Sequence, residues 1–125
     1  MITQEKTKDA VKASIQHYFK GYLQAESETL LKAFHKDARL FTSEGGVLDK
    51  TEMGDWIKNL DERRKEGDFR QADVEIENID VSDIAAMAKV TLTFKAFKFT
   101  DYLSLLLVGD QWKIIGKIYS VERFE

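Results

Sequence analysis

Apolar positions recur at helical spacing in the first quarter of the chain and at alternate positions in the second half. Val11, Ile15, Tyr18, Phe19, Tyr22 and Leu23 share one face of a helix predicted over about Glu5 to Gln24, with Glu5, Lys6, Lys8, Lys12, Gln16 and Lys20 opposite. A second helix is predicted from Ser27, a residue type suited to capping, through Leu30, Leu31 and Phe34. The short Ala25–Ser27 connection favours antiparallel packing of the two. His35, Lys36 and Asp37 interrupt the pattern. Ala38 to Thr42 then reads as a strand ending at Glu44-Gly45-Gly46, with Val47 and Leu48 as a short return. Thr51 is the expected cap of a third helix, Glu52 to about Leu60, which presents Met53, Trp56, Ile57 and Leu60 on one face. The charged run Asp61 to Asp68 reads as the end of that helix and a solvated loop.

From Phe69 onward the period is two. Val74 and Ile76 have one parity and Ile79 and Val81 the other, so a bulge near Glu77-Asn78 is needed to keep one face apolar. After a turn at Ser82-Asp83, a strand places Ile84, Ala86, Ala88, Val90, Leu92 and Phe94 on one face, with a further turn or bulge expected at Lys95 to Lys98. Phe99 to Tyr119 then reads as a hairpin about Gly109-Asp110, the stretch around which the fold is organised. In its simplest register Leu107 faces Trp112, Leu105 faces Ile114, Leu103 faces Gly116 and Asp101 faces Ile118. That face is apolar except for Asp101. The opposite face mixes Tyr102, Ser104, Leu106, Val108, Ile115 with Gln111, Lys113 and Lys117. Helices first and an antiparallel meander afterwards define an α+β domain whose bent sheet wraps over its helices.

Composition narrows the function classes. At 125 residues the chain is one domain, 1–125, with residues 1–4 expected as a flexible tail. A net charge of -3 gives no basic footprint for nucleic acid. No apolar run approaches the ~20 residues of a membrane helix, so no membrane association is expected. The polar first residues do not resemble a signal peptide, and there is no cysteine, which together fit a cytoplasmic protein. His17 and His35 alone give a zinc site no support, and no phosphate loop or dinucleotide fingerprint is present. No metal or cofactor is expected.

Two segments, HYFKGYLQAESETLLKAFHKDARLF (residues 17–41) and FTDYLSLLLVGDQWKIIGKIY (residues 99–119), resemble the putative lumazine-binding family. That family is a branch of the nuclear transport factor 2-like superfamily, which includes ketosteroid isomerases, polyketide cyclases and limonene epoxide hydrolases. The resemblance implies a cone of curved sheet around a pocket, the cystatin-like arrangement, and dimerisation through the outer sheet face. Tyr102, Leu106 and Ile115 are the candidate contacts. The family often has a His-Pro-Asp-Ala corner where this chain has His35, Lys36, Asp37 and Ala38, which suggests a structural corner rather than a base and its orienting acid.

Beside a ketosteroid isomerase, the oxyanion-binding tyrosine falls on Tyr18, and the aspartic acid that stays protonated to donate a hydrogen bond falls on or next to Asp101. The isomerase's catalytic base falls on Thr42, which cannot abstract a carbon-bound proton. Alternatives for Asp101 are a strand cap, an ion pair with Arg39, or turn hydrogen bonds beside Thr100. Tyr18, Tyr22, Trp56, Phe99 and Asp101 are the expected pocket lining, although Trp56 on an apolar stripe is better read as core. Three functions follow. The first is a homodimer binding a small apolar or aromatic ligand. The second is a cofactor-independent isomerase, cyclase or hydrolase using Asp101 and Tyr18, against which Thr42 counts. The third is a ligand-free dimerisation scaffold, with Phe41, Phe94 and Phe97 filling the pocket.

Overall fold

The computed structural model describes residues 3–125. The expected tail of residues 1–4 therefore lies partly outside the described residues, and of the other two Thr3 caps the first helix and Gln4 begins it. That helix, α1 (Gln4–Leu23), is capped by Thr3, whose Oγ1 accepts from the Lys6 amide at 3.2 Å. A tight corner follows, in which buried Ala25 takes a φ of 52°. The second helix, α2 (Ser27–Ala33), folds back so closely that a Cβ on Gly21 would sit 2.5 Å from the Leu30 amide nitrogen. Ser27 is not its cap. Glu26 holds that position without a side-chain bond to a helix amide, its carboxylate accepting from the Thr29 hydroxyl at 2.7 Å instead, and the Ser27 hydroxyl donates to Asp61 of the third helix at 2.5 Å.

Strand β1 (Phe34–Thr42) starts directly after α2, ahead of the expected Ala38. The Phe34 side chain explains this, because it is buried edge-on to Tyr18 and Trp56 and draws the chain into the sheet early. A 3-10 turn at Glu44–Gly46 uses positive φ at both glycines. The return strand β2 is Asp49–Glu52 rather than Val47-Leu48, which stay exposed. Helix α3 (Met53–Lys65) follows, with Glu52 rather than Thr51 in the cap position.

The remaining strands are β3 (Asp73–Ser82), β4 (Ala85–Thr93), β5 (Phe97–Val108) and β6 (Gln111–Arg123). One six-stranded sheet runs β2-β1-β6-β5-β4-β3, antiparallel except for the β1–β6 pair. The expected bulge in β3 is present: pairing with β4 slips between Ile76 and Asn78, so Ile76 faces Val90 and Ile79 faces Ala88 on one side. Such slips increase local twist and curve a sheet.

Helix α1 lies across the concave side, tied at three depths. Gln4 Nε2 donates to the Val81 carbonyl at 3.0 Å, Ser14 Oγ to the Trp112 carbonyl at 2.7 Å, and the Tyr18 hydroxyl to Asp101 Oδ2 at 2.5 Å. The charged run after Leu60 is not a solvated loop throughout. Arg63 is buried, and its guanidinium donates to the Tyr22 carbonyl at 2.9 Å and the Asp68 carbonyl at 3.2 Å, fastening the end of α3 to α1.

Candidate functional site

The geometry of the site depends on a second bulge, in β6. The hairpin begins in the expected register, with Leu107 opposite Trp112 and Leu105 opposite Ile114. The next pair is Ser104 with Gly116, so Ile115 is the extra residue. Every later residue of β6 changes face. Lys117 moves opposite Leu103 and Tyr119 opposite Asp101, whereas the simple register placed Lys117 outside and Ile118 inside. Ile118 is 58% exposed and Lys117 is 7% exposed. A glycine within a strand is the local signal for such a bulge, and Gly116 follows Ile115 directly.

Lys117 completes a buried chain of polar groups. Its Nζ donates to the Tyr18 hydroxyl at 2.9 Å, Tyr18 donates to Asp101 Oδ2 at 2.5 Å, and Nζ lies 3.9 Å from the same carboxylate oxygen. Asp101 is fully buried, and its Oδ1 has no hydrogen-bond partner among the described residues. Nζ also lies 4.8–4.9 Å from the ring centres of Tyr18, Trp56 and Tyr119, so three ring faces surround the amine. Burial pulls the Lys117 ammonium below the ordinary lysine range, and the Asp101 charge offsets part of that pull. Burial, followed by the neighbouring Asp101, pushes the Tyr18 phenol well above its ordinary value.

Beside this chain is a cavity of about 190 Å³ lined by Tyr18, Tyr22, Leu40, Thr51, Trp56, Asn59, Arg70, Phe99, Lys117 and Tyr119. Of the residues expected from sequence, Tyr18, Tyr22, Trp56 and Phe99 line it, and Asp101 stands behind Tyr18. Lys117, Asn59, Arg70 and Tyr119 were not expected. Arg70 is brought in by Asp68, which holds its Nη2 at 3.1 Å, and donates through Nη1 to the Tyr22 hydroxyl at 2.9 Å. Tyr22 has its phenol pushed up by burial, an effect that Arg70 opposes.

Other sequence alternatives resolve geometrically. Arg39 pairs with Glu52 at 3.2 Å rather than with Asp101. Thr42 donates its hydroxyl to the Tyr119 carbonyl at 2.7 Å. Phe41 borders a groove on the convex side with Leu48, Tyr102 and Ile118, so it does not turn into the cone. Phe94 and Phe97 stack on each other at 4.7 Å near Phe99, outside the cavity lining. His35 and Asp37 form a local exposed contact, the Asp37 amide donating to His35 Nδ1 at 3.0 Å. Among the described residues no cluster of potential metal ligands occurs, and no helix is long and apolar enough to cross a membrane.

A three-helix, six-stranded cone of this kind is the nuclear transport factor 2-like fold, also described as cystatin-like. A protein of that class and of unknown function from Silicibacter pomeroyi is 20% identical, with a TM-score of 0.84 over 97% of this chain and 100% of its own. One from Shewanella baltica, also of unknown function, is 24% identical, with a TM-score of 0.84 over 98% of both chains. A cystatin-like domain of unknown function from Nostoc punctiforme has a TM-score of 0.73 at 15% identity, over 94% of this chain and 78% of its own. The chain belongs to the family described as "Putative lumazine-binding", whose profile matches residues 6–120. A comparison with curated proteins finds no match.

Proposed function

We propose that this protein is a homodimeric small-molecule-binding protein whose conical cavity takes a small planar aromatic compound with a polar edge. The observation that carries the reading is the lining itself: five aromatic rings with Lys117, Arg70 and Asn59 converging among them. Binding pockets are generally apolar with a few placed polar groups. At about 190 Å³ the cavity holds the share of roughly six waters, which suits a ligand of one or two rings. The lumazine of the family description belongs to the compounds to try first.

The convex face supports the dimer. In register across four strands and onto a fifth run Lys89, Tyr102, Ile118, Phe41 and Lys50, an apolar band with a lysine at each end. Exposed Ile115 and half-buried Leu106 flank it. Isologous pairing is the commonest way to cover such a face.

Enzymatic use of Asp101 and Tyr18 as a ketosteroid isomerase would use them is disfavoured, since Thr42 is committed to a main-chain carbonyl and supplies no base. Native mass spectrometry of the freshly purified protein tests the proposal, with its denatured mass as reference. A dimer retaining, or taking up from added aromatic compounds, one small molecule per subunit is expected. A monomer that takes up none would refute it.

A further inference from the structure

We propose that Lys117 is a covalent attachment point for carbonyl compounds, capturing an apolar or aromatic aldehyde or ketone as an imine within the cone. This deepens the binding reading above and rests on it, because the carbonyl compound occupies the same cavity.

Lys117 is the buried lysine among fourteen, and a binding pocket alone does not account for it. A lysine at the wall of an apolar cavity is costly to keep charged, and loss of hydration is a general way in which lysine becomes a nucleophile. Its surroundings fit imine chemistry in three respects. Nζ has a single hydrogen-bond acceptor among the described residues, the Tyr18 hydroxyl, and Asp101 Oδ2 stands beyond hydrogen-bond distance at 3.9 Å. The aromatic faces of Tyr18, Trp56 and Tyr119 suit a weakly hydrated iminium at that atom. Behind Tyr18, Asp101 Oδ2 accepts from the phenol at 2.5 Å and is placed to take a proton relayed through it.

The protons balance without an external reagent. The ammonium passes one proton through the Tyr18 hydroxyl to Asp101, leaving a neutral amine. The nitrogen lone pair attacks the carbonyl carbon, and the carbon–oxygen π pair becomes an alkoxide. One nitrogen-bound proton moves to that oxygen to give the carbinolamine. The proton held by Asp101 returns through Tyr18 to the hydroxyl, which departs as water while the nitrogen lone pair forms the C=N bond. The product iminium keeps one proton and one positive charge where the ammonium stood, so its pairing with Asp101 and the three rings is retained. Hydrolysis follows the reverse path, which makes the capture reversible.

The test treats the full-length protein with benzaldehyde and cyanoborohydride at mildly alkaline pH, followed by intact mass and peptide mapping. Binding of benzyl alcohol, which has the ring but no carbonyl, is followed in parallel by ligand-observed NMR. One benzyl group per chain, mapped to Lys117 and suppressed by excess benzyl alcohol, is the expected result. Labelling should be at least tenfold faster at Lys117 than at Lys6, Lys58 or Lys95. Labelling spread over exposed lysines with Lys117 unmodified overturns the proposal. If benzyl alcohol still binds in that case, the cavity stands and only the imine chemistry is lost; if it does not, the binding reading fails with it. Lys117→Met, checked for fold by circular dichroism, should lose the fast label and retain the slow ones.

Discussion

Removing either end of the Lys117–Tyr18–Asp101 chain exposes how the pocket wall is held. Asp101→Asn keeps an acceptor for Tyr18 but leaves the buried Lys117 ammonium without its counter-charge. Lys117→Met keeps the shape but leaves the Asp101 carboxylate with the Tyr18 donor alone. Breaking a buried pair on one side costs about 3–5 kcal/mol, since the other charge is stranded. At the observed 3.9 Å, and with an effective dielectric constant of ~20, the two charges attract by about 4 kcal/mol. The double variant removes both charges, so its cost should fall below the sum of the singles by about 2–4 kcal/mol. In thermal terms each single variant should melt roughly 10–20 °C below the parent. Urea unfolding followed through Trp56 and Trp112, both buried, measures the cycle at one fixed protein concentration. Additive singles, with a coupling under ~0.5 kcal/mol, would show that the two groups do not interact as a charged pair.

Three further outcomes follow from the same structure. Gly21→Ala places a Cβ 2.5 Å from the Leu30 backbone, so α2 must move and stability should drop by ~1–3 kcal/mol; an unchanged urea midpoint would refute the close helix contact. In alkali, the raised folded values of Tyr18, Tyr22 and Tyr119 mean that the unfolded chain loses these protons first. The stability they provide is full below about pH 10 and lost as pH rises further. Lys117, depressed in the folded state, acts oppositely and adds stability as pH rises toward the ordinary lysine value. Ultraviolet phenolate titration should therefore show Tyr18 ionising only with unfolding, and early titration of every tyrosine would contradict this. Ile118→Lys, on the convex band, should shift sedimentation toward monomer at micromolar concentration while the circular dichroism spectrum stays the same; an intact dimer would move the interface elsewhere.

The sequence carries most of the fold because its alternations are strong. The parity change between Ile76 and Ile79 required a bulge in β3, and the slip is there. Tyr18 and Asp101 could be placed on facing surfaces for the same reason. Lys117 could not, because a charged residue in an alternating strand is compatible with the solvent side, and nothing in the pattern forces Ile115 out of register. Only Gly116 hinted at it. Arg63 was hidden in a similar way: five of the six residues from Asp61 to Glu66 match a solvated helix end, and its burial depends on the Tyr22 carbonyl, a tertiary partner remote in sequence. Phe34 belonged to a helical stripe by spacing, yet its packing against Tyr18 and Trp56 starts β1. These departures place or frame residues of the cavity, where local preference gives way to long-range contacts.

The claim on which the functional account depends is that small aromatic molecules enter the cone. Saturation-transfer NMR with a panel of single-ring and two-ring aromatics, lumazine included, tests it directly in the parent and in Thr51→Trp, which places an indole at the cavity wall. Transfer from the parent protein to several ring compounds, abolished in the folded Thr51→Trp variant, is the predicted result. No transfer from the parent, or transfer unchanged by the substitution, would contradict the account.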